Sequence, residues 1–280
     1  MKTTLKDVDE KWKKEMQKSI SKTFKKELMS PFCKAINQYD MIKPDDRIAV
    51  CISGGKDSML MGRLFLELKR HNKIPFELVF LVMDPGYNEL NKQVIINNAR
   101  KLDLPIEIFN ANIFDYVYTQ KGSPCYLCAR MRRGHLYCKA QELGCNKIAL
   151  GHHYDDVIET ILMSMLYGGQ VQTMMPKLKS ANFAGMELIR PMYLIREEDI
   201  IRWRDHNNLH FIECACRFSD EAYHDKSLSK RKEIKHLIAE LKKSNPYVEN
   251  NIFKSVMNVS LDSIIEYKKD DQRHNFLDEY

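Results

Sequence analysis

A short apolar run, a polar loop with two glycines and a helical pattern follow one another in this chain and constrain its fold more than any other feature. The apolar run covers residues 48–52, and the helical pattern begins at Met59. The loop between them reads Ser53-Gly54-Gly55-Lys56-Asp57-Ser58. Adjacent glycines allow a tight turn that exposes backbone N–H groups, and the following helix directs the positive end of its dipole to the same place. The sequence therefore predicts a strand, a polyphosphate-binding loop and a helix.

This loop differs from the common phosphate loop of nucleoside triphosphatases. The common loop has a glycine, four further residues and then Gly-Lys-Ser or Gly-Lys-Thr, and that string does not occur here. The loop instead resembles the pyrophosphate loop of N-type ATP pyrophosphatases, which split ATP into AMP and pyrophosphate and use the AMP to activate an oxygen. The resemblance implies that ATP is bound by Ser53, Gly54, Gly55, Lys56, Asp57 and Ser58.

Short apolar runs alternate with helical patterns from residue 46 onward, and this alternation predicts an α/β fold with a doubly wound parallel sheet. The expected strands are residues 48–52, 78–83, 106–109, 147–150 and 186–189. Ligands of such sheets bind at the carboxyl ends of the strands. We therefore expect the nucleotide site to include Gly151 and His152, which follow a strand, and Asp84, although the composition of residues 84–86 also favours a simple turn there.

The flanking regions are helical in pattern and define the predicted organisation. Residues 1–45 form a basic helical segment, residues 46–195 an ATP-binding α/β domain, and residues 196–280 a helical C-terminal extension. In the first segment Trp12, Met16, Ile20, Phe24 and Leu28 recur at four-residue steps between lysines, which is the pattern of an amphipathic helix.

The charge is unevenly distributed. The chain has 44 Lys+Arg against 38 Asp+Glu, and residues 1–40 carry ten lysines against six acidic residues. A second basic stretch lies in residues 226–243. Such stretches contact nucleic acids or form solvated helix faces, and both interpretations stay open. No apolar stretch is long enough to span a membrane and the N-terminus is too polar for a signal peptide, so we expect a cytoplasmic protein without membrane contact.

The eight cysteines suggest metal binding more than disulfides, because disulfides are rare in the cytosol. Cys125 and Cys128 are separated by two residues, a spacing that places two thiolates on one metal. Cys214 and Cys216 could complete a zinc site, and three cysteines could instead hold a 4Fe-4S cluster with one open iron. The other cysteines are expected to be buried: Cys33, Cys51, Cys138 and Cys145.

Carboxylates follow the fourth predicted strand. Asp156 and Glu159 are three residues apart in a stretch that leaves the strand and enters a helix. They could hold magnesium beside the ATP phosphates, or they could cap the helix. The sequence alone does not separate these roles.

Taken together, these strings make the chain resemble the tRNA 2-thiocytidine synthetase family of the pyrophosphate-loop superfamily. The similarity is strongest in residues 125–137 and 150–160, and it extends to residues 32–42, 167–169, 176–178, 190–191 and 256–259. The resemblance implies a homodimer that binds ATP, Mg²⁺, tRNA and a 4Fe-4S cluster. It assigns the cluster to Cys125, Cys128 and Cys216. The family usually shows Cys-x-x-Cys-Gly at the third ligand, whereas this chain has Cys214-Ala215-Cys216-Arg217, so Cys214 stays a candidate.

The resemblance also implies a reaction and a set of roles. The oxygen on C2 of a pyrimidine, expected to be cytidine in the anticodon loop, is adenylated and then replaced by sulfur from a cysteine desulfurase or free sulfide. Lys56, Asp156 and Cys216 are the expected catalytic residues, Asp156 could also hold magnesium, and Arg132 and Arg133 would contact tRNA. The alternatives are a 2-thiouridine synthetase, another ligase of the superfamily such as lysidine synthetase, and a non-catalytic ATP-binding iron–sulfur sensor.

Overall fold

The computed structural model describes residues 5–71, 74–111, 113–114, 124–212 and 226–280. Their centre is a six-stranded sheet in the order β3-β2-β1-β4-β6-β5. The strands are β1 (Asp46–Ile52), β2 (Phe76–Asp84), β3 (Ile106–Asn110), β4 (Lys147–Ala149), β5 (Lys177–Lys179) and β6 (Glu187–Ile189). Within the described ranges, no helix is both long and apolar enough to cross a membrane.

Helices precede, connect and follow these strands. They are α1 (Leu5–Lys18), α2 (Ser30–Gln38), α3 (Lys56–His71), α4 (Glu89–Lys101), α5 (Pro124–Glu142), α6 (Tyr154–Gly168), α7 (Glu197–His206), α8 (Lys226–Ser244) and α9 (Val248–Ser255). Short 3₁₀ turns occupy Leu261–Ser263 and Phe276–Glu279.

The pairing confirms the predicted parallel sheet. Strands β3, β2, β1, β4 and β6 pair in parallel, and only β5 at the edge pairs antiparallel with its neighbour. The strand order reverses beside β1, because β1 lies between β2 and β4. The loops after β1 and β4 therefore leave adjacent strands at the same edge of the sheet, which is where ligands of such sheets bind.

Burial on both faces explains why β1 reads as a continuous apolar run. Ile48 through Ile52 are all buried, and helix α3 covers one side with Met59, Leu60, Leu64 and Phe65. A strand covered on both faces loses the alternation of polar and apolar residues that marks a half-exposed strand.

The N-terminal helical segment keeps its row of apolar residues on one face by departing from regular α-helical geometry. Met16, Ile20, Phe24 and Leu28 are all buried. Each four-residue step exceeds a full turn of an α-helix by about 40°, so a regular α-helix would rotate this row away from the core. Two π-helical turns, Ser19–Thr23 and Lys25–Met29, widen the helix where the row runs. The wider turns keep the apolar row on one face.

The chain divides into two compact units. The first comprises residues 1–157 and 175–229, and the second residues 158–174 and 230–280. In the second unit a two-stranded antiparallel hairpin, β7 (Glu266–Lys269) and β8 (Gln272–Asn275), follows the helices. The helical pattern of residues 196–280 predicts helices alone for this region, so the hairpin departs from that expectation. The hairpin turns at Asp270 and Asp271, which both have positive φ, a two-residue turn that suits the twist of paired strands.

Candidate active site

The loop after β1 is closed by its own last serine. The Ser58 hydroxyl accepts a hydrogen bond from the Ser53 backbone N–H at 3.0 Å and donates to the Gly55 carbonyl at 3.1 Å. The Ser53 and Ser58 hydroxyl oxygens are also 3.0 Å apart. Ser58 therefore shapes the loop from within, in addition to facing the cavity described below.

Two glycines are required by the geometry of this region. Gly54 has φ +88°, and a Cβ there would lie 2.7 Å from side-chain atoms of both Ile95 and Ile212. Gly151, after β4, passes so close to the loop that a Cβ would lie 3.1 Å from the backbone nitrogen of Ser58. These contacts bring the loops after β1 and β4 against each other.

Lys56 is held between two carboxylates. Its Nζ lies 3.0 Å from Asp57 Oδ1 and 3.1 Å from Glu197 Oε1. Burial disfavours the charged ammonium, but Asp57 and Glu197 together raise the pKa of Lys56 above its ordinary value. Asp155 orients this arrangement because its Oδ2 accepts the Glu197 backbone N–H at 2.7 Å. The lysine of the loop is therefore a fixed positive charge.

A cavity of about 330 Å³ opens beside the loop. Seven predicted site residues line it, from three separate parts of the chain: Ser53, Asp57, Ser58, Arg132, Gly151, His152 and Asp156. The remaining lining residues were not predicted as site residues: Cys51, Ile52, Met83, Tyr87, Leu136 and Leu150. Most of these are apolar, so their hydrophobic pattern in the sequence indicates core positions and not site residues. The cavity thus combines a polar phosphate end with an apolar wall.

His152 is oriented by a residue that the sequence analysis did not select. Arg190, directly after β6, donates from Nε to His152 Nδ1 at 3.3 Å and from Nη1 to the Met175 carbonyl. Burial, followed by the charge of nearby Arg133, lowers the pKa of Arg190 to about 10. The guanidinium stays charged at neutral pH. The sequence could have indicated Arg190 because it directly follows a predicted strand, and ligands bind at the carboxyl ends of such strands.

Asp156 caps the start of its helix, and its role in holding magnesium stays a prediction. Its Oδ2 accepts the His153 backbone N–H at 3.1 Å, which caps the start of α6, and the same residue lines the cavity. Glu159 does not line this cavity. It is buried in the second unit, where its Oε2 lies 3.6 Å from Arg231 Nε. The carboxylate pair therefore does not act as one group.

Asp84 is committed to the turn after β2. Its Oδ1 accepts the backbone N–H groups of Gly86 and Tyr87 at 2.9 and 2.7 Å, and its Oδ2 lies 2.8 Å from Lys92 Nζ. Burial opposes its ionisation, but the hydrogen bonds from Lys92 and the two N–H groups outweigh burial and lower its pKa. Asp84 is not among the residues that line the cavity, whereas Tyr87 of the same turn is.

Helix α5 brings an arginine and a cysteine to the site. The Arg132 guanidinium lies over the Phe114 ring, 5.5 Å from its centroid, and lines the cavity. Cys128 precedes Arg132 by four residues and is half-buried. Residues four apart face the same side of a helix. Arg133 is exposed and does not line the cavity.

The predicted cluster cysteines are only partly described. Cys125 belongs to the first turn of α5, one turn from Cys128, whereas Cys214 and Cys216 lie outside the described residues. The thiol chemistry and helical spacing of Cys125 and Cys128 fit two ligands of one metal centre. In the described part of the chain, no set of three His, Cys, Asp or Glu residues could hold a metal ion. Of the cysteines expected to be buried, Cys51 and Cys145 are, Cys33 is half-buried, and Cys138 is exposed on α5.

A parallel sheet whose first loop presents Ser-Gly-Gly-Lys-Asp-Ser at the switch point defines a nucleotide-binding α/β protein of the pyrophosphate-loop class. The family model for the PP-loop domain matches residues 14–241. The chain belongs to this family.

Curated relatives and a solved structure narrow the comparison. The chain is 33% identical over 237 residues to a tRNA-cytidine(32) 2-sulfurtransferase of Geobacter sulfurreducens, covering 84% of this chain and 90% of the relative. It is 34% identical over 253 residues to the protein of the same name from Coxiella burnetii, covering 88% and 95%. The fold matches the U34-tRNA thiolase NcsA from Methanococcus maripaludis with its [4Fe-4S] cluster, with a TM-score of 0.63, 22% identity and coverage of 81% and 76%.

Proposed function

We propose that this protein is an ATP-dependent tRNA sulfurtransferase that replaces the C2 oxygen of an anticodon-loop cytidine with sulfur. The main support for this proposal is that Cys128 and Arg132 lie one turn apart on α5 and that Arg132 lines the cavity beside the pyrophosphate loop. A cysteine suited to sulfur chemistry is thus one helical turn from the expected site of ATP cleavage. The named relatives, a third identical over most of the chain, support the substrate and the reaction.

The first step joins the RNA to AMP. The C2 oxygen of the base attacks the α-phosphate of ATP, the bond between the α- and β-phosphates breaks, and pyrophosphate leaves. Backbone N–H groups of Gly54 and Gly55 and the Lys56 ammonium stabilise the departing charge. Lys56 suits this role because its flanking carboxylates hold it charged and in place.

The second step exchanges oxygen for sulfur. Sulfur adds at C2, and the former C2 oxygen leaves as part of AMP, a far better leaving group than a bare oxygen. Arg132 faces the phosphate that departs, and Asp156 accepts the proton that the sulfur nucleophile releases. An unstacked loop nucleotide suits this site because it enters without the opening of a duplex.

Two cofactors complete the proposal. Cys125, Cys128 and Cys216 would hold a 4Fe-4S cluster, with Cys214 as the alternative third ligand, and the cluster would supply sulfide to the reaction. Mg²⁺ would accompany ATP, with Asp156 as the cavity carboxylate available to it. The cluster is supported by the paired cysteine spacing on α5.

The partners follow from the same reaction. We propose tRNA as the substrate, contacted by Arg132 and Arg133, and a cysteine desulfurase or free sulfide as the sulfur donor, in the cytoplasm where tRNA is used.

We also propose a homodimer. It is supported by large apolar side chains that the second unit exposes: Met165, Leu166, Tyr167, Leu237 and Leu241. The three-part division at residues 45 and 195 stays a prediction.

The deciding experiment is mass spectrometry of nucleosides from unmodified tRNA after incubation with anaerobically reconstituted protein, ATP, Mg²⁺ and sulfide. We expect 2-thiocytidine. The formation of 2-thiouridine instead would support the same reaction mechanism but would show that the modified base is uridine. No thionucleoside, with the cluster intact by its absorption, would refute the proposal. Cys125→Ala protein must lose the activity, and iron content after Cys214→Ser or Cys216→Ser identifies the third ligand.

A further inference from the structure

A second cavity in the first unit is lined by four basic side chains. It measures about 450 Å³ and lies where α1, α3 and the end of α4 meet. We call it the arginine cavity after its basic residues Lys13, Arg63, Arg70 and Arg100, with Asp103 as its acidic residue. None of these residues lines the cavity beside the pyrophosphate loop.

Arg63 is the unusual member of the arginine cavity. Its side chain is 4% exposed, and within the described residues its buried Nε has no hydrogen-bond partner. The nearest carboxylate oxygen, Glu67 Oε2, is 3.8 Å from Nη2, beyond hydrogen-bonding distance. Burial lowers the pKa of Arg63, with Glu67 acting against that shift. A buried guanidinium without hydrogen bonds is costly unless an anion compensates it.

The carboxylates around the arginine cavity do not supply that compensation. Asp103 is paired with Lys13, with Oδ1 and Nζ 2.7 Å apart. Glu67 is shared among three basic groups, because Arg63, Arg70 and His71 all lie within 4 Å of its carboxylate. Arg63, Arg70 and Arg100 therefore leave the cavity with an excess of positive charge.

We propose that the arginine cavity binds a phosphate group. Guanidinium groups donate paired hydrogen bonds that match phosphate oxygens, so a cavity lined by three of them suits this anion. The source we assign is the sugar–phosphate backbone of substrate RNA, and this assignment rests on the proposed function. A free phosphate anion is the other source with the same chemistry.

The position of the arginine cavity along α3 suits an RNA stem. Helix α3 begins at Lys56 in the pyrophosphate loop, and its rise per residue places Arg63 about 10 Å and Arg70 about 21 Å along the axis from that point. An RNA hairpin whose loop base enters the first cavity has stem phosphates at such distances. One substrate would then contact the protein at two sites on the same helix.

The test is tRNA affinity as a function of salt for the holoprotein, wild type against Arg70→Gln/Arg100→Gln. Both arginines are exposed at the rim, so the variant is expected to fold. Loss of the contact to one phosphate lowers the magnitude of the slope of log K against log salt by about 0.7 to 0.9, and we expect a fall of that size for a cavity that binds a single phosphate group. Arg202→Gln is the control, because Arg202 is 62% exposed, is paired with Asp199 and lies outside the cavity.

A second arm uses inorganic phosphate and thermal unfolding, with the pyrophosphate loop filled by an ATP analogue that resists cleavage between its α- and β-phosphates. Weaker tRNA binding with a flatter salt slope in the double variant, but not in Arg202→Gln, supports the RNA source. Stabilisation by phosphate that Arg63→Met abolishes, with tRNA binding unchanged in the double variant, supports the site with a free anion. The absence of both effects would overturn the proposal. Wild-type protein that binds tRNA and makes no thionucleoside refutes the proposed function and leaves this site untouched.

Discussion

Arg190 Nε donates a hydrogen bond to His152 Nδ1 across 3.3 Å, so a buried guanidinium selects the tautomer of a histidine in the nucleotide cavity. Arginine has no acceptor, so Nδ1 must be unprotonated and the proton must reside on Nε2. His152 therefore presents its Nε2–H as a hydrogen-bond donor, because Arg190 occupies its Nδ1.

Replacing Arg190 by Met is expected to release His152 from this tautomer. The ¹⁵N resonances of His152 should report the Nε2–H tautomer in the wild type and a mixture of the Nδ1–H and Nε2–H tautomers in Arg190→Met. Arg190→Lys keeps a donor and should restore part of the wild-type spectrum. Identical spectra in the wild type and Arg190→Met would contradict the assignment, and this readout is independent of enzymatic activity.

The role of Asp156 can be tested against an exposed aspartate outside the cavity. Asp156→Asn keeps an acceptor for the His153 N–H but removes the charge from the cavity. We expect a fall in thionucleoside formation of roughly 100-fold or more, with little change in thermal stability. Asp205→Asn is the control, because it removes the same charge from an exposed aspartate outside the cavity. If both variants lose activity equally, the assignment of Asp156 is wrong.

Gly151 should not tolerate a side chain. A Cβ there would lie 3.1 to 3.2 Å from backbone atoms of Asp57 and Ser58, which cannot rotate away as a side chain would. We expect Gly151→Ala to displace the start of α3, raise the KM for ATP and lower the melting temperature. Gly168→Ala is the control because, among the described residues and apart from its chain neighbours and its own helix backbone, no atom lies within 4 Å of the Cβ it would add. Equal behaviour of the two variants would show that the loops do not touch.

The lowered pKa of Asp84 predicts that the free energy of unfolding depends on pH. Its pKa is lowered in the folded protein, so its contribution is complete above the unfolded-state pKa of about 3.9 and is lost as the pH falls through the lower folded-state pKa. Asp84→Asn should lose about 1 to 3 kcal/mol at pH 7. The difference from the wild type should shrink as denaturant unfolding is repeated toward pH 3. A difference that stays constant with pH would exclude the ionised carboxylate as its cause.

Much of the fold was accessible from the sequence because its signals are local. The apolar run before Ser53 predicted β1, and five strand positions agreed with the structure within a few residues. The turn at Asp270 and Asp271 and its hairpin were missed because residues 266–275 are polar and carry no strand-like alternation. The π-helical turns were missed because the four-residue spacing had been read as an ordinary α-helix.

The residues of the candidate site also divide into those that the sequence predicts and those that only the structure shows. Ser53 to Ser58, Cys125, Cys128 and Asp156 could be predicted as site residues from the sequence because each belongs to a contiguous string with its own chemistry. Arg190 and Glu197 belong to no such string. They act on His152 and Lys56 only because β6 pairs beside β4 and because α7 begins beside the loop after β1. Contacts between residues far apart in the chain depend on strand order and helix packing, so only the tertiary structure decided which charges hold the nucleotide-binding residues in place.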